Sequence, residues 1–75
     1  MAPEETVRLG KGIYKGRAAC IVRIVLEPIE GAYYVDWGRD ARDRQFGVRF
    51  GPFGSIREAI DQAQRGTWGT VEWES

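Results

Sequence analysis

The chain has 75 residues, enough for one domain with a thin hydrophobic core and too few for two. Its apolar content of 43% excludes a disordered chain, and no run approaches the roughly 18 apolar residues of a membrane-spanning helix. Eleven basic and 11 acidic side chains cancel, so the net charge gives little long-range attraction to nucleic acid. We expect one cytoplasmic domain over residues 1–75, with residues 1–6 as a flexible tail and no membrane contact. The lone Cys20 suits a reducing compartment.

The first clear element is a strand over residues 17–27, which alternates with period two and is rich in β-branched residues. Its second face is mixed, with Arg17 and Arg23 among aliphatic side chains. Residues 7–14, interrupted by two glycines, form another strand or a hairpin. The core face of the first strand is predicted to consist of Ala18, Cys20, Val22, Ile24 and Leu26.

Two further strands are predicted downstream. A turn at residues 28–31 leads to a strand over 32–37, which pairs antiparallel with the first. A charged loop over 38–44 leads to a third strand over 45–50, and a Gly-Pro-Phe-Gly run ends it. The predicted core-facing side chains are Tyr33, Val35, Trp37, Phe46, Val48 and Phe50, and those on the opposite face include Tyr34, Asp36 and Arg49.

A helix over about residues 55–65 follows. Ser55 and Glu58 fit a capping box, and Gly66 suits the position after the helix. Ile56, Ala59, Ile60 and Ala63 form its apolar stripe. A helix this short needs support, so we place it on the face with Val22, Val35 and Val48. With an edge strand over 70–74, the sequence predicts an α+β fold, a three- to five-stranded antiparallel sheet with one helix on one face.

No catalytic apparatus is visible. The chain lacks His, so neither Cys20 nor Ser55 has the base that a nucleophile needs, and Ser55 already serves as a cap. The glycine-rich residues 10–17 lack the Lys-Ser/Thr of a phosphate-binding loop and are interpreted as a β-turn. The carboxylate pairs Glu58/Asp61 and Glu72/Glu74 are interpreted as a cap and solvated surface. We therefore expect no enzyme, no cofactor and no metal.

The candidate site is the helix-free face of the sheet together with the Arg-rich loop. Arginine and tyrosine suit either a protein hot spot or nucleic acid. Apolar Ala19, Ile21 and Val25 share this face and invite a cover, for which terminal segments with Trp68 and Trp73 are candidates. The alternative is an ordinary solvated face with a loop that pairs its own charges. The predicted partner-binding residues are Arg17, Arg23, Tyr34, Arg39, Arg42, Arg44 and Arg49.

Three strands followed by a Phe-containing turn and an amphipathic helix, ending in FGPFGSIREA over residues 50–59, resemble two DNA-binding families. These are the ethylene-response-factor domains of plants and the arm-binding domains of phage integrases. The resemblance implies DNA binding through the open sheet face. The matching positions are Arg17, Arg23, Tyr34 and Arg49. Both families are strongly basic, whereas this chain is neutral and carries Asp36 on the same face.

In size, composition and element order the chain also resembles small phage-encoded inhibitors, especially anti-CRISPR proteins, which block a bacterial complex by surface contact. The leading hypothesis is a non-enzymatic protein-binding module, in its finer form such an inhibitor. The second hypothesis is DNA or RNA binding through the Arg/Tyr face. The third is a homodimeric structural protein that pairs through Trp73 and the edge strands.

Overall fold

The computed structural model describes residues 3–40 and 45–74. Its neighbouring strands are antiparallel, in the order β4-β3-β2-β1-β5, and α1 packs on one face of this single sheet. The predicted α+β class is confirmed. The elements are β1 (Glu5–Tyr14), β2 (Arg17–Glu27), β3 (Ala32–Gly38), β4 (Val48–Phe53), α1 (Ile56–Gly66) and β5 (Thr70–Trp73).

The start of β1 differs from the prediction. Residues 1–6 were expected to be a tail, but the strand begins at Glu5, and Glu4 forms an ion pair with Arg49. Four elements agree closely with the sequence: β2 covers residues 17–27 as predicted, β3 and α1 each differ by one residue, and β5 is an edge strand.

The β1–β2 hairpin extends past the rest of the sheet. Lys15 and Gly16 have φ of 53° and 76°, the left-handed pair that a two-residue hairpin turn requires. The predicted glycine-rich turn is therefore shorter than expected, since residues 10–14 belong to β1. β3 ends at Gly38, opposite Ile21, and β5 begins at Thr70, opposite Ile13, so residues 14–20 of the hairpin project beyond both neighbouring strands.

The hydrophobic core lies between the sheet and α1. Val22, Ile24 and Val35 on the sheet and Ala59 and Ala63 on the helix are fully buried. The two alanines let the helix backbone approach the sheet closely. Burying this apolar surface stabilises a helix that is too short to form alone.

The N-terminus of α1 is capped largely as predicted. The Glu58 backbone N–H donates to Ser55 Oγ at 3.2 Å. The Glu58 carboxylate accepts from the Gly54 N–H at 3.2 Å, one residue before the expected partner.

At the C-terminus of α1, Gly66 is the last helical residue and does not follow the helix. Its role is close packing, because a Cβ there would lie 2.8 Å from Cζ2 of Trp37. Thr67 fixes the same ring: its hydroxyl accepts from Trp37 Nε1–H at 3.0 Å and donates to the Ala63 carbonyl at 2.7 Å.

The predicted third strand was displaced. β4 runs from Val48 to Phe53 and includes the Gly51-Pro52 step that was expected to end it. Residues 45–47 instead pass onto the helix-free face, where Phe46 stacks on Arg23, so the expected core position of Phe46 is wrong. The Gly47 N–H still donates to the Trp37 carbonyl at 3.0 Å, which anchors the segment to β3.

Candidate interaction surfaces

Four charged side chains meet on the helix-free face, in what we call the ion-pair network: Glu4, Arg23, Asp36 and Arg49. The Asp36 carboxylate accepts from Arg23 Nε at 2.9 Å, and from Arg49 Nε and Nη2 at 2.7 and 3.0 Å. Arg49 also donates to the two Glu4 oxygens, at 2.7 and 3.1 Å. Two positive and two negative charges therefore balance.

Asp36 is the centre of this network and is only 2% exposed. Its position follows from strand register, since β2 places Arg23 directly opposite on one side and β4 places Arg49 opposite on the other. Burial by itself raises the pKa of the Asp36 carboxyl. The hydrogen bonds from Arg49 and then Arg23 outweigh this effect, so the pKa lies below its usual value.

The partners at the rim of the network are more exposed. A hydrogen bond from Arg49 lowers the pKa of Glu4. The bonds to Asp36 and Glu4 raise the pKa of Arg49, which is therefore charged at any ordinary pH.

Aromatic rings cover both arginines. The guanidinium carbon of Arg23 lies 4.1 Å from the ring centroid of Phe46, and that of Arg49 lies 5.1 Å from the centroid of Tyr34. The Tyr34 hydroxyl donates to Glu30 at 2.8 Å, and this bond raises the pKa of Tyr34. Arg23, Tyr34 and Arg49 were predicted to bind a partner, and the structure brings them together but gives each an internal partner.

The remaining predicted site residues lie apart from the network. Arg17 begins β2 at the projecting hairpin. Arg39 follows β3 and lines a shallow cavity with Phe46. Arg42 and Arg44 lie outside the described residues.

The helix-free face is less open than expected. Ile21 and Val25, predicted to invite a cover, are buried on it. Neither expected tryptophan covers it: Trp73 packs against the helix-side core, and Trp68 is exposed. The chain from residue 45 to 47 passes over this face instead, with Gln45 against Gly38 and Phe46 on Arg23.

A second surface is the outer edge of β4, which we call the edge surface. Val48 and Phe50 lie on its helix side but are 49% and 47% exposed, outside the buried core that α1 forms with the central strands. Phe50 contacts Trp37 edge to face, with ring centroids 5.1 Å apart. A shallow groove of about 460 Å³ adjoins it, lined by Arg49, Phe50, Gly51, Pro52, Phe53 and Gln62.

Sequence reasoning placed Val48 and Phe50 in the core and so missed this surface. One signal was present, because proline within a strand is typical of an edge strand, and Pro52 lies in β4. Their alternation correctly predicted the side of the sheet that they face. Their exposure depends on strand order, which alternation does not reveal.

A third surface, which we call the hairpin end, comprises residues 13–18 and 65–70. It carries the exposed aromatic residues Tyr14 and Trp68, and the Lys15 ammonium lies 5.4 Å from the centroid of the Tyr14 ring. The two segments are in direct contact, since Ile13 pairs with Thr70 across β1 and β5.

Of the carboxylate pairs singled out in the sequence, Glu58 and Asp61 have structural partners. Glu58 caps α1, and Asp61 pairs with Arg65 at 3.1 Å. Within residues 3–40 and 45–74, no three His, Cys, Asp or Glu side chains form a possible metal site. Cys20 is partly buried and packs against Gly12.

Over the same described residues, no helix is long and apolar enough to cross a membrane. Comparison with protein-family models, curated proteins and solved structures gives no match.

Proposed function

We propose that the protein is a non-enzymatic module that binds another protein through the edge surface. The observation that carries this proposal is the exposure of Val48 and Phe50 on an outer strand of the sheet. An outer strand offers unpaired backbone groups to an incoming strand, and exposed apolar side chains add contact area.

The two edges of the sheet differ in a way that favours β4. β5 has four residues and carries Glu72, with Glu74 directly after it, and charges on an edge disfavour strand addition. β4 presents Val48 and Phe50 beside the groove that borders α1. Pro52 has no N–H to donate, so an added strand is expected to pair mainly with residues 48–51.

The ion-pair network supports this choice over nucleic-acid binding through the sheet face. Arg23 and Arg49 already donate to Asp36, and Arg49 also donates to Glu4. A phosphate would have to displace these carboxylates and leave Asp36 buried without its partners, which is costly. The edge surface requires no such rearrangement.

In its finer form, the proposal is a cytoplasmic inhibitor that blocks a host complex by surface contact. The size of the domain and the structural use of its candidate catalytic groups, Ser55 and Glu58, support a role in binding. The identity of the captured protein tests this finer form.

Site-specific photo-crosslinking in the native host tests the edge surface. A photoreactive phenylalanine analogue replaces Phe50, and the matched control replaces Ile29, an exposed apolar residue in the β2–β3 turn. We expect one dominant crosslinked protein from position 50 and none from position 29. In a parallel pull-down without crosslinker, Phe50→Glu and Val48→Glu should each lower the amount of that protein that copurifies at least tenfold, whereas Ile29→Glu should not.

Circular dichroism should show that these variants stay folded, because both edge side chains are half exposed. Equal recovery by the edge variants and the control would overturn the proposal, as would crosslinking at position 29 only. A product that contains only a second copy of this chain would replace the proposal with self-association.

A further inference from the structure

The hairpin end has a charge that the neutral molecule as a whole lacks. Its 12 residues include Lys15, Arg17 and Arg65 and contain no Asp or Glu. The opposite end of the β1–β2 hairpin is acidic, with Glu5 beside Leu26 and with Glu27 at the end of β2. The charges are therefore separated along the hairpin.

Trp68 is the most exposed large apolar side chain among the described residues, at 82%. The backbone beside it is closely packed: Gly69 has a φ of 92°, and a Cβ there would lie 3.3 Å from the Cα of Tyr14. The indole and the Tyr14 ring thus project from two adjoining, well-anchored segments.

Nearby acidic groups neutralise only part of the positive charge. Asp61 pairs with Arg65, and Glu72 lies opposite Lys11 in the sheet register. The carbonyl end of α1 also adds partial negative charge here. Lys15 and Arg17, on the projecting hairpin, carry the remaining positive charge.

We infer that the hairpin end binds single-stranded nucleic acid. Trp68 stacks on a base, while Lys15 and Arg17 contact backbone phosphates. A flat aromatic face beside cations is how proteins bind single strands without sequence preference. This site is separate from the edge surface, so it neither requires nor excludes the proposed protein partner.

The surroundings of Trp68 favour a nucleic acid over a lipid surface. Its neighbours Gly66, Thr67, Gly69 and Thr70 are small or polar. Trp68 and Tyr14 are the exposed large apolar side chains of the hairpin end, which is little apolar area to insert into a bilayer. One exposed indole and two cations supply the kinds of group that a base and its flanking phosphates require. The hairpin end lies away from Arg23 and Arg49, which are paired with Asp36.

Fluorescence anisotropy at low salt tests the inference, with fluorescein-labelled oligo-dT and oligo-U as probes. We expect both to bind. Trp68→Ala should weaken binding at least about fivefold, the lower end of what one stacked base contributes, and Trp68→Phe should restore most of it. The matched control Ile29→Ala, at an exposed apolar residue elsewhere, should bind as the unmodified protein does.

Charge reversal tests the phosphate contacts. Lys15→Glu with Arg17→Glu should abolish most binding. Neutralising the same two residues to Gln should reduce the slope of log affinity against log salt by about 1.4, because each phosphate contact on a single strand contributes about 0.7. The control Arg57→Glu, at an exposed residue in the first turn of α1, should leave affinity unchanged.

Three results would overturn the inference: no oligonucleotide binding at low salt, an unchanged affinity in Trp68→Ala, or equal losses in the variants and their controls. Binding is also measured to vesicles of phosphatidylcholine and phosphatidylserine in equal parts. Binding to these vesicles without binding to oligonucleotides would assign the hairpin end to an anionic membrane surface and contradict a nucleic-acid site.

Discussion

Val35 and Asp36 are neighbours on β3, and both are almost completely buried, yet they face opposite sides of the sheet. Val35 packs with α1 in an apolar core. Asp36 lies on the helix-free face, where two arginines from the adjoining strands surround its carboxylate. One strand thus supports two kinds of interior, one held by apolar burial and the other by charge pairing.

The difference between these faces explains where a partner can bind. The charged interior needs both arginines, because removing either one leaves the buried Asp36 carboxylate with fewer partners. It also favours one strand register, since a shift of β3 by one residue would turn Asp36 toward the apolar core. Arginines that fulfil this role are poorly suited to bind a partner as well.

The largest effect is expected from Asp36→Asn. Removing the carboxylate charge should lower the free energy of unfolding by about 2–4 kcal/mol at neutral pH, somewhat less than for a fully buried pair. The expected loss is smaller than for a fully buried pair because the Arg23 and Arg49 side chains are 30% and 38% exposed. Urea unfolding checks this, with Asp61→Asn on the exposed side of α1 as the matched control.

The stability that the Asp36 carboxylate contributes should depend on pH. The folded pKa of Asp36 is lowered, so its contribution is fully present above the unfolded value of about 3.9 and is lost as pH falls through the folded value. The stability difference between the unmodified protein and Asp36→Asn should therefore shrink below about pH 4. A difference that stays constant down to pH 2 would contradict the ionic role.

Val35→Ala tests the apolar face. Loss of two buried methyl groups and the resulting cavity should cost about 2 kcal/mol, independent of pH and salt. The control is Val48→Ala, because Val48 is half exposed and its truncation should cost less than about 0.5 kcal/mol. Similar losses at both positions would mean that the helix-side core extends to Val48.

The smallest effect is expected from Glu4→Gln at the rim of the network. Glu4 is exposed, and an exposed ion pair contributes about 0.2–1 kcal/mol, which salt screens further. Unfolding at low and high salt checks this, with the exposed neighbour Glu5→Gln as control. A loss as large as that of Asp36→Asn would show that the network does not depend on burial.

Local patterns predicted much of the fold. Alternation identified β2, and the Ser55–Glu58 cap with its apolar stripe identified α1, because these signals depend on residues close in sequence. The alternation of Phe46, Val48 and Phe50 was misleading. Phe46 leaves the sheet to stack on Arg23, a contact between residues far apart in the chain that no local period reveals.

The candidate site was predicted only in part. The sequence correctly grouped Arg23, Tyr34, Asp36 and Arg49 on one face, since strand alternation determines the face of a side chain. It did not reveal that both arginines donate hydrogen bonds to Asp36, because that depends on the order and register of three strands. The edge surface was missed for the same reason.

NMR of the arginine side chains gives the most direct test of whether the sheet arginines are committed to Asp36. At neutral pH, the Nε–H signals of Arg23 and Arg49 should be shifted and slow to exchange with water, unlike that of exposed Arg17. In Asp36→Asn, both signals should move toward the chemical shift of Arg17 and exchange with water as rapidly as it does. If all three exchange rapidly in the unmodified protein, the arginines are free and the helix-free face is again a candidate binding surface.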